Sequence, residues 1–455
     1  MSITSNNELS SGNSGARLSI TEKVSYGLGD TASNIIFQSV MLFLTYFYTD
    51  IFGLDPAIVG TLFLSVRVID AVTDPVMGAI CDRTKTKYGT YRPYLVWCAI
   101  PFGICSVLAF STPDLSDQGK TIYAYVTYTL LMIAYTAINI PYSALGGVLT
   151  SDVKERVSVQ SYRFVFGMLG GVIVTAATMH LVDFFGQGDQ AKGYQMAMAA
   201  MSVLGVILFL LCFAGTKERI TAEQEISRPF KDDFKYLWQN DQWRILCIAS
   251  LFLLTGMVLK NSLAIFYVQY YLKQPDMVDT FLTIGLLGNM LGCALAAPLA
   301  KRVNKIQAYI SLQLISAVIC AAGFFIEPSQ INMAIALHFM WGFFLQMATP
   351  LLWAKMADTI DYGHWKTGVR VTATVYSAIV FFIKMGVALG GALSGWLLAY
   401  YGYQANTEQT PEALNGIVMS FTIYSAIGSV LVAIVMRWYT LDNNKLEQIQ
   451  QEIRV

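Results

Sequence analysis

The chain has 455 residues, of which 55% are hydrophobic and only 13% charged, and its 30 Lys and Arg balance 30 Asp and Glu. A soluble domain carries about a quarter charged residues, so the composition excludes an ordinary soluble protein. Zero net charge also gives no attraction to nucleic acid. The seven cysteines lie in or near apolar runs without a C-x-x-C pair, which reads as buried thiols rather than a metal site or disulfide framework.

Residues 1–23 lack an apolar core and are rich in Ser, Asn and Gly. They read as a disordered cytoplasmic tail rather than a cleavable signal peptide, so the first span is expected to act as the insertion signal. Beyond them, apolar runs near the length of a bilayer crossing recur about twelve times. They cover roughly 24–49, 57–80, 93–111, 120–147, 162–183, 194–215, 243–271, 278–299, 306–326, 331–356, 371–400 and 414–437. Lipid admits only helices or closed barrels, and runs this long exclude barrel strands.

Lys120, Lys192 and Lys273 are the only cations in the connections of one side, and Arg67, Lys260 and Lys384 fall inside spans. The other 24 of the 30 Lys and Arg sit in the opposite connections and the tails, which predicts both termini to be cytoplasmic. The longest hydrophilic connection, 216–242, separates halves at 24–215 and 243–438, with a cytoplasmic tail at 439–455. Each half has a basic connection after its second span. The expected fold is an all-α membrane protein with twelve transmembrane helices in two six-helix halves, the major facilitator layout. In the tail, Leu446, Ile449 and Ile453 recur at i, i+3 and i+7. That fits a short amphipathic helix, though fraying is the simpler expectation.

The second span carries Arg67, Asp70 and Asp74, which at 100° per residue fall within roughly 60° on one face. Two carboxylates one turn apart in lipid repel unless they share a cation or a proton. Carboxylate oxygens plus a hydroxyl suit Na⁺, Li⁺ or H⁺; the plainer reading is a clamp in which Arg67 and Lys384 neutralise the pair. Lys384 in FFIKMG requires a carboxylate from the other half, either as a permanent salt bridge or as a competitor of a bound cation. Lys260 fits snorkelling and substrate contact equally well. Asp30 and Asn34 in the first span, Tyr135 and Asn139 in the fourth, and Arg163 opening the fifth offer amides, hydroxyls and charge for sugar hydroxyls. Interhelical hydrogen bonding is the alternative. The runs FGMLGG and GGALSG read as close-packing surfaces. His180, His338 and His364 form no ligand cluster and read as interface or loop histidines. No catalytic triad, phosphate loop or H-E-x-x-H appears, so an enzyme is not expected.

RVIDAVTDPVMGAICDRTKTKYGTYRP, YTDIFGL, AYTAINIPYSALGG, MADTIDYGHWKTGVR and FFIKMG together resemble the glycoside–pentoside–hexuronide:cation symporter family over residues 24–438. The resemblance implies a cation held by Asp70, Asp74 and Thr136, with Lys384 beside it. It implies sugar contacts from Tyr135 and Arg163. It also implies an inner gate in which Asp358 and Asp361 meet the connection after the second span, with Asp82, Arg83 and Arg92. Two carboxylates that grip galactosides in the best-known member align with Asn34 and Asn139, and its tryptophan aligns with Ser143. Galactosides are therefore disfavoured, and a pentoside or other glycoside ranks ahead of a hexuronide. The implied protein is a monomer in the bacterial inner membrane, with a sugar substrate and Na⁺ or H⁺ as coupling ion. No other metal or cofactor is expected. A lipid or lysolipid cation symporter or flippase on the same fold is the alternative, followed by a membrane-embedded glycosyl or acyl transfer enzyme.

Overall fold

The structure, a computed structural model, describes residues 18–150, 153–219, 236–300, 304–368 and 372–454. Ten helices among them are long and apolar enough to cross a membrane. Two more have spanning length, Ile20–Tyr46 with 27 residues and Pro56–Arg83 with 28. Their lower apolar content comes from Glu22, Lys23 and Asp30 on the first and Arg67, Asp70 and Asp74 on the second. In chain order the others are a third helix broken at Cys98 (Arg92–Trp97, Ala99–Ala109), then Asp117–Val148, Val153–Gly186, Gln190–Gly215, Asp241–Phe266, Val278–Ala300, Lys305–Ala322, Ile331–Thr367 and Thr372–Tyr400. The twelfth is formed by Pro411–Met419 and Ser425–Val435 with a wide turn between them. They are called the first to twelfth helices below.

Local chemistry sets the helix starts. Ser19 caps the first helix by accepting from the Glu22 amide, so that helix begins inside the segment read as tail. Asp55 caps the second at 2.7 Å from the Ala57 amide, with Pro56 in the first turn. The first and seventh helices both end in a five-residue π turn, Phe47–Ile51 and Tyr267–Tyr271. In the first, Phe52 N–H donates to Phe47 and Leu54 N–H to Tyr48; in the second, Leu272 donates to Tyr267 and Gln274 to Val268. This is one local structure repeated in the two halves, with little sequence in common.

Glycines let the backbones approach closely. A Cβ at Gly170 would lie 2.7 Å from the Thr31 carbonyl of the first helix, and one at Gly390 2.7 Å from the Thr255 carbonyl of the seventh. Both small-residue runs are thus packing surfaces. Between halves, a Cβ at Gly395 on the eleventh helix would lie 2.3 Å from the Pro56 carbonyl on the second. One buried cluster unites both halves around Tyr46, Phe47, Phe266, Tyr267 and Tyr403, whereas a second lies within the second half around Trp243, Leu246 and Met356. The halves are therefore cemented at the end farthest from the basic connections. The tail forms a helix, Asn443–Arg454, that buries Ile449 and bonds Glu452 to Trp365 at 2.6 Å, so it docks rather than frays.

Candidate functional site

The second helix holds its two carboxylates differently. Arg67 donates to Asp70 at 2.8 Å within the helix, and both are buried. One turn later Asp74 accepts the Thr136 hydroxyl of the fourth helix at 2.9 Å and the Lys384 ammonium of the eleventh. The fold thus brings together Asp74, Thr136 and Lys384 from three helices and both halves, and gives Asp70 a local partner. Arginine stays charged and its fork fixes direction, whereas the lysine head is a single charge on a flexible stem. Of the two pairs, Lys384 with Asp74 is the more easily opened. The second oxygen of Asp70 is buried without a hydrogen-bond partner, which leaves an acceptor in reserve.

A cavity of about 470 Å³ lies between the halves, lined on one side by Asp30, Asn34, Tyr135, Asn139 and Arg163. All five candidates for sugar hydroxyls therefore share one wall. Arg163 donates from Nε to Asp30 at 3.0 Å and from Nη2 to Ser143 at 3.2 Å, and it lies over the Tyr142 ring at 5.1 Å. Asn34 donates to the Asp30 carbonyl at 3.0 Å and to its carboxylate at 3.2 Å. Asn139 donates to the Tyr135 hydroxyl at 3.2 Å and accepts from Ser33 at 3.4 Å. Gly167, from the FGMLGG run, makes room for this network, because a Cβ there would lie 2.3 Å from the Asp30 carboxylate. The wall presents paired amides and hydroxyls around one neutralised carboxylate, which is chemistry for a polyol. Tyr135 lines the cavity and its neighbour Thr136 bonds Asp74; Ile383 lines it and its neighbour Lys384 pairs with Asp74. Ion cluster and cavity therefore share the fourth and eleventh helices.

Sequence reasoning missed the facing wall, which includes Asn261, Asn289, His338, Trp341 and Gln346. These are single polar or aromatic residues in long apolar runs, and only Asn261, which follows Lys260, has a neighbouring charge. His338, expected at an interface or in a loop, lines the cavity in a stack between Phe281 at 4.3 Å and Trp341 at 5.6 Å.

Also missed was the closed end. Asp50, in the first π turn, is 4% exposed. Its carboxylate accepts the hydroxyls of Thr49, Tyr270 and Tyr403, and Asn406 donates to its backbone carbonyl. Tyr270 belongs to the matching π turn of the other half. Gln269 adds a bond to Tyr46 at 2.9 Å, and Trp396 one to Thr61 at 3.2 Å. The signal for Asp50 was its place at the end of an apolar run in YTDIFGL; nothing local named its partners.

The residues expected at an inner gate have the following partners in this structure. Arg92 does not point at Asp358 and Asp361: its guanidinium donates to the Phe213 carbonyl at 2.6 Å and stacks on the Phe213 ring at 4.6 Å. The physical reason is Glu218, which accepts the backbone amides of Thr90, Tyr91 and Arg92 at 2.7–2.8 Å. That carboxylate pins the loop to the sixth helix. The next residue, Arg219, chelates Glu22 at 2.6 and 2.9 Å. Arg83 is exposed at the end of the second helix. Asp358 pairs with Lys355 at 3.3 Å, and Asp361 lies half-buried on the same helix. The side chain of Asp82 lies outside the described residues.

Two helical halves, sealed at one end around a polar cavity and joined by an ion pair beside it, define a major facilitator transporter. The crystal structure of the nucleoside transporter NupG shares the fold, with a TM-score of 0.67 at 14% identity over 92% of this chain and 100% of that one. A family model described as MFS/sugar transport protein matches residues 25–443. The chain is 42% identical over 439 residues to the inner membrane symporter YicJ of Escherichia coli strain K12, covering 96% of this chain and 95% of that protein. It is 34% identical over 429 residues to an isoprimeverose transporter of Lactiplantibacillus pentosus, covering 93% and 89%. The chain belongs to the glycoside–pentoside–hexuronide:cation symporter family of the major facilitator superfamily. Proteins of this family are membrane transporters, not enzymes.

Proposed function

We propose that this protein imports a sugar, a pentoside or other glycoside ahead of a hexuronide, by symport with Na⁺ or H⁺. It works as a monomer in the bacterial inner membrane with both termini in the cytoplasm. The observation that carries this reading is Lys384 of the second half resting on Asp74 of the first, beside a cavity lined with sugar-binding chemistry. A cation entering between Asp74, Thr136 and the free oxygen of Asp70 displaces Lys384 and frees the eleventh helix, which also lines the cavity. Cation and sugar then raise each other's affinity, because such coupling is reciprocal.

With the basic connections inside, the Asp50 closure is the outer gate and the cavity is presented to the cytoplasm. Asp82, Arg83, Asp358 and Asp361 then belong to the inner gate, which forms when the outer one opens. Arg92 supports it by anchoring the loop. Uptake of labelled pentosides, glycosides and uronides, with and without a Na⁺ gradient at fixed pH, tests the proposal. Gradient-driven accumulation of at least one of them is expected. Indifference of every sugar to both Na⁺ and proton gradients would overturn it.

A further inference from the structure

Lys260 takes no part in the ion pair, and at 3% exposure it does not snorkel. Its ammonium donates to the Phe421 carbonyl at 3.1 Å and meets the Cys320 thiol, with no carboxylate partner among the described residues. It lies 3.5 Å from the centre of the Phe421 ring and 5.0 Å from that of Trp341. Phe421 belongs to the π turn Ser420–Tyr424 of the twelfth helix, where the widened backbone leaves carbonyls to be satisfied from outside. That task does not need a charge: Cys320 donates to the Thr422 carbonyl at 3.2 Å and Ser425 to that of Ser420 at 2.8 Å. An ammonium buried among neutral partners is costlier than a thiol or hydroxyl, and in a membrane helix it marks a functional position.

Lys260, Cys320 and His338 line a small pocket of about 10 Å³, which is room for one water among polar partners. His338 Nδ1 is buried and has no hydrogen-bond partner among the described residues. The Nε2 edge of the ring lies against Gly285, where a Cβ would come within 2.4 Å, and both residues line the cavity of about 470 Å³. The imidazole thus separates the two volumes, its Nδ1 buried and its Nε2 edge at a cavity-lining glycine. The titratable groups around the small pocket are Cys320 from the ninth helix, His338 from the tenth and Tyr267 from the seventh itself. The twelfth helix presents Phe421 to Lys260, and the eighth presents Phe281 to the imidazole.

We propose that Lys260, with one water held between Cys320 and His338, is a proton-binding site through which the carrier moves a proton separately from the ion at Asp74. The site exchanges with whichever side the cavity faces. In loading, Nε2 takes a proton from cavity water, Nδ1 passes its own proton to the held water, and that water gives one to the Lys260 amine. Unloading runs the same transfers in reverse, which the two nitrogens of an imidazole permit. This rests on alternating access of the cavity; sugar enters the test only as a readout.

The first measurement needs no sugar. Trp341 emission, taken as the difference between each purified protein and its Trp341→Phe counterpart, should show a one-proton step on pH titration, because the ammonium lies beside that ring. The step should vanish in Lys260→Met and persist in Asp74→Cys. In proteoliposomes with equal Na⁺ on both sides, a trapped pH dye should record about one proton fewer per xylosyl-glucose disaccharide taken up by Lys260→Met than by wild type. His338→Phe keeps the ring stack and should lose the same proton, which decides the matter where Lys260→Met fails to fold. A Trp341 step that survives Lys260→Met, or equal proton counts in wild type and His338→Phe, overturns the proton site while leaving sugar transport standing. If no sugar moves at all, the transport reading falls and the Trp341 step alone decides the site.

Discussion

Lys384 and Asp74 are 310 residues apart and belong to opposite halves, yet they form an ion pair that shares its carboxylate with Thr136. Replacing Asp74 by Cys removes both the proposed cation ligand and the lysine's partner. Gradient-driven accumulation should vanish while sugar binding or exchange persists. The cation-dependent gain in sugar affinity, about 1–3 kcal/mol for coupled sites of this kind, should disappear with it. Binding of labelled sugar across a cation titration measures this, and full accumulation by the variant would remove Asp74 from the coupling site.

Thr136→Val keeps shape and loses the hydroxyl. A hydrogen bond to a charged group contributes about 1.5–3 kcal/mol, so the cation concentration for half-maximal stimulation should rise roughly ten- to hundredfold. Sugar affinity at saturating cation should change far less. Equal shifts in both would place Thr136 in the sugar site instead.

Tyr403→Phe deletes one of the donors that hold the Asp50 carboxylate across the two halves. Using the same 1.5–3 kcal/mol, the population open at that end should rise about tenfold or more. A cysteine introduced at Ser262, buried between the halves behind the closure, should react faster with an impermeant thiol reagent. Unchanged labelling would show that the Asp50 cage does not control opening.

Gly395→Val opposes the same closure by steric means. The added atoms collide with Pro56 and Gly60 backbone, neither of which can swing aside. The variant should insert into the membrane, bind sugar from the outer side and fail to complete the transport cycle. Wild-type uptake would show that the second and eleventh helices need no such approach.

Glu218→Ala leaves three amides of the loop after the second helix without their acceptor. A lost acceptor of this kind costs about 1–3 kcal/mol, so the melting temperature in detergent should fall by a few degrees. Cation stimulation of the transport that remains should persist. Normal stability would mean that the loop is pinned by Arg92 on Phe213 instead.

Much of the architecture was legible because lipid restricts the options. Run length and apolar content placed the spans without any knowledge of contacts. The polar candidates also stood out singly, since Asp30, Arg67, Asp70, Asp74, Arg163 and Lys384 are charges in segments that exclude them. The first helix illustrates the limit at a boundary: Glu22 and Lys23 looked like tail, but a Ser19 cap and the Arg219 pairing carry the helix through them.

Sequence by itself determined that each buried charge had to find a polar or charged partner inside a helical bundle, because burying it alone is too costly. Which charges meet was decided only by the tertiary structure. It assigned Arg67 to Asp70 and Lys384 to Asp74, set Arg92 on Phe213 beside the Glu218 anchor, and gathered Asp50, Tyr270 and Tyr403 from distant parts of the chain. It also set a second cavity wall against the first. The reason is geometric: helical period fixes which residues share a face of one helix, whereas the crossing of two helices depends on glycines and π turns whose partners lie hundreds of residues away. The stripe on the second helix is therefore two devices, a local pair at Asp70 that leaves one oxygen unpartnered and a pair at Asp74 that the opposite half completes.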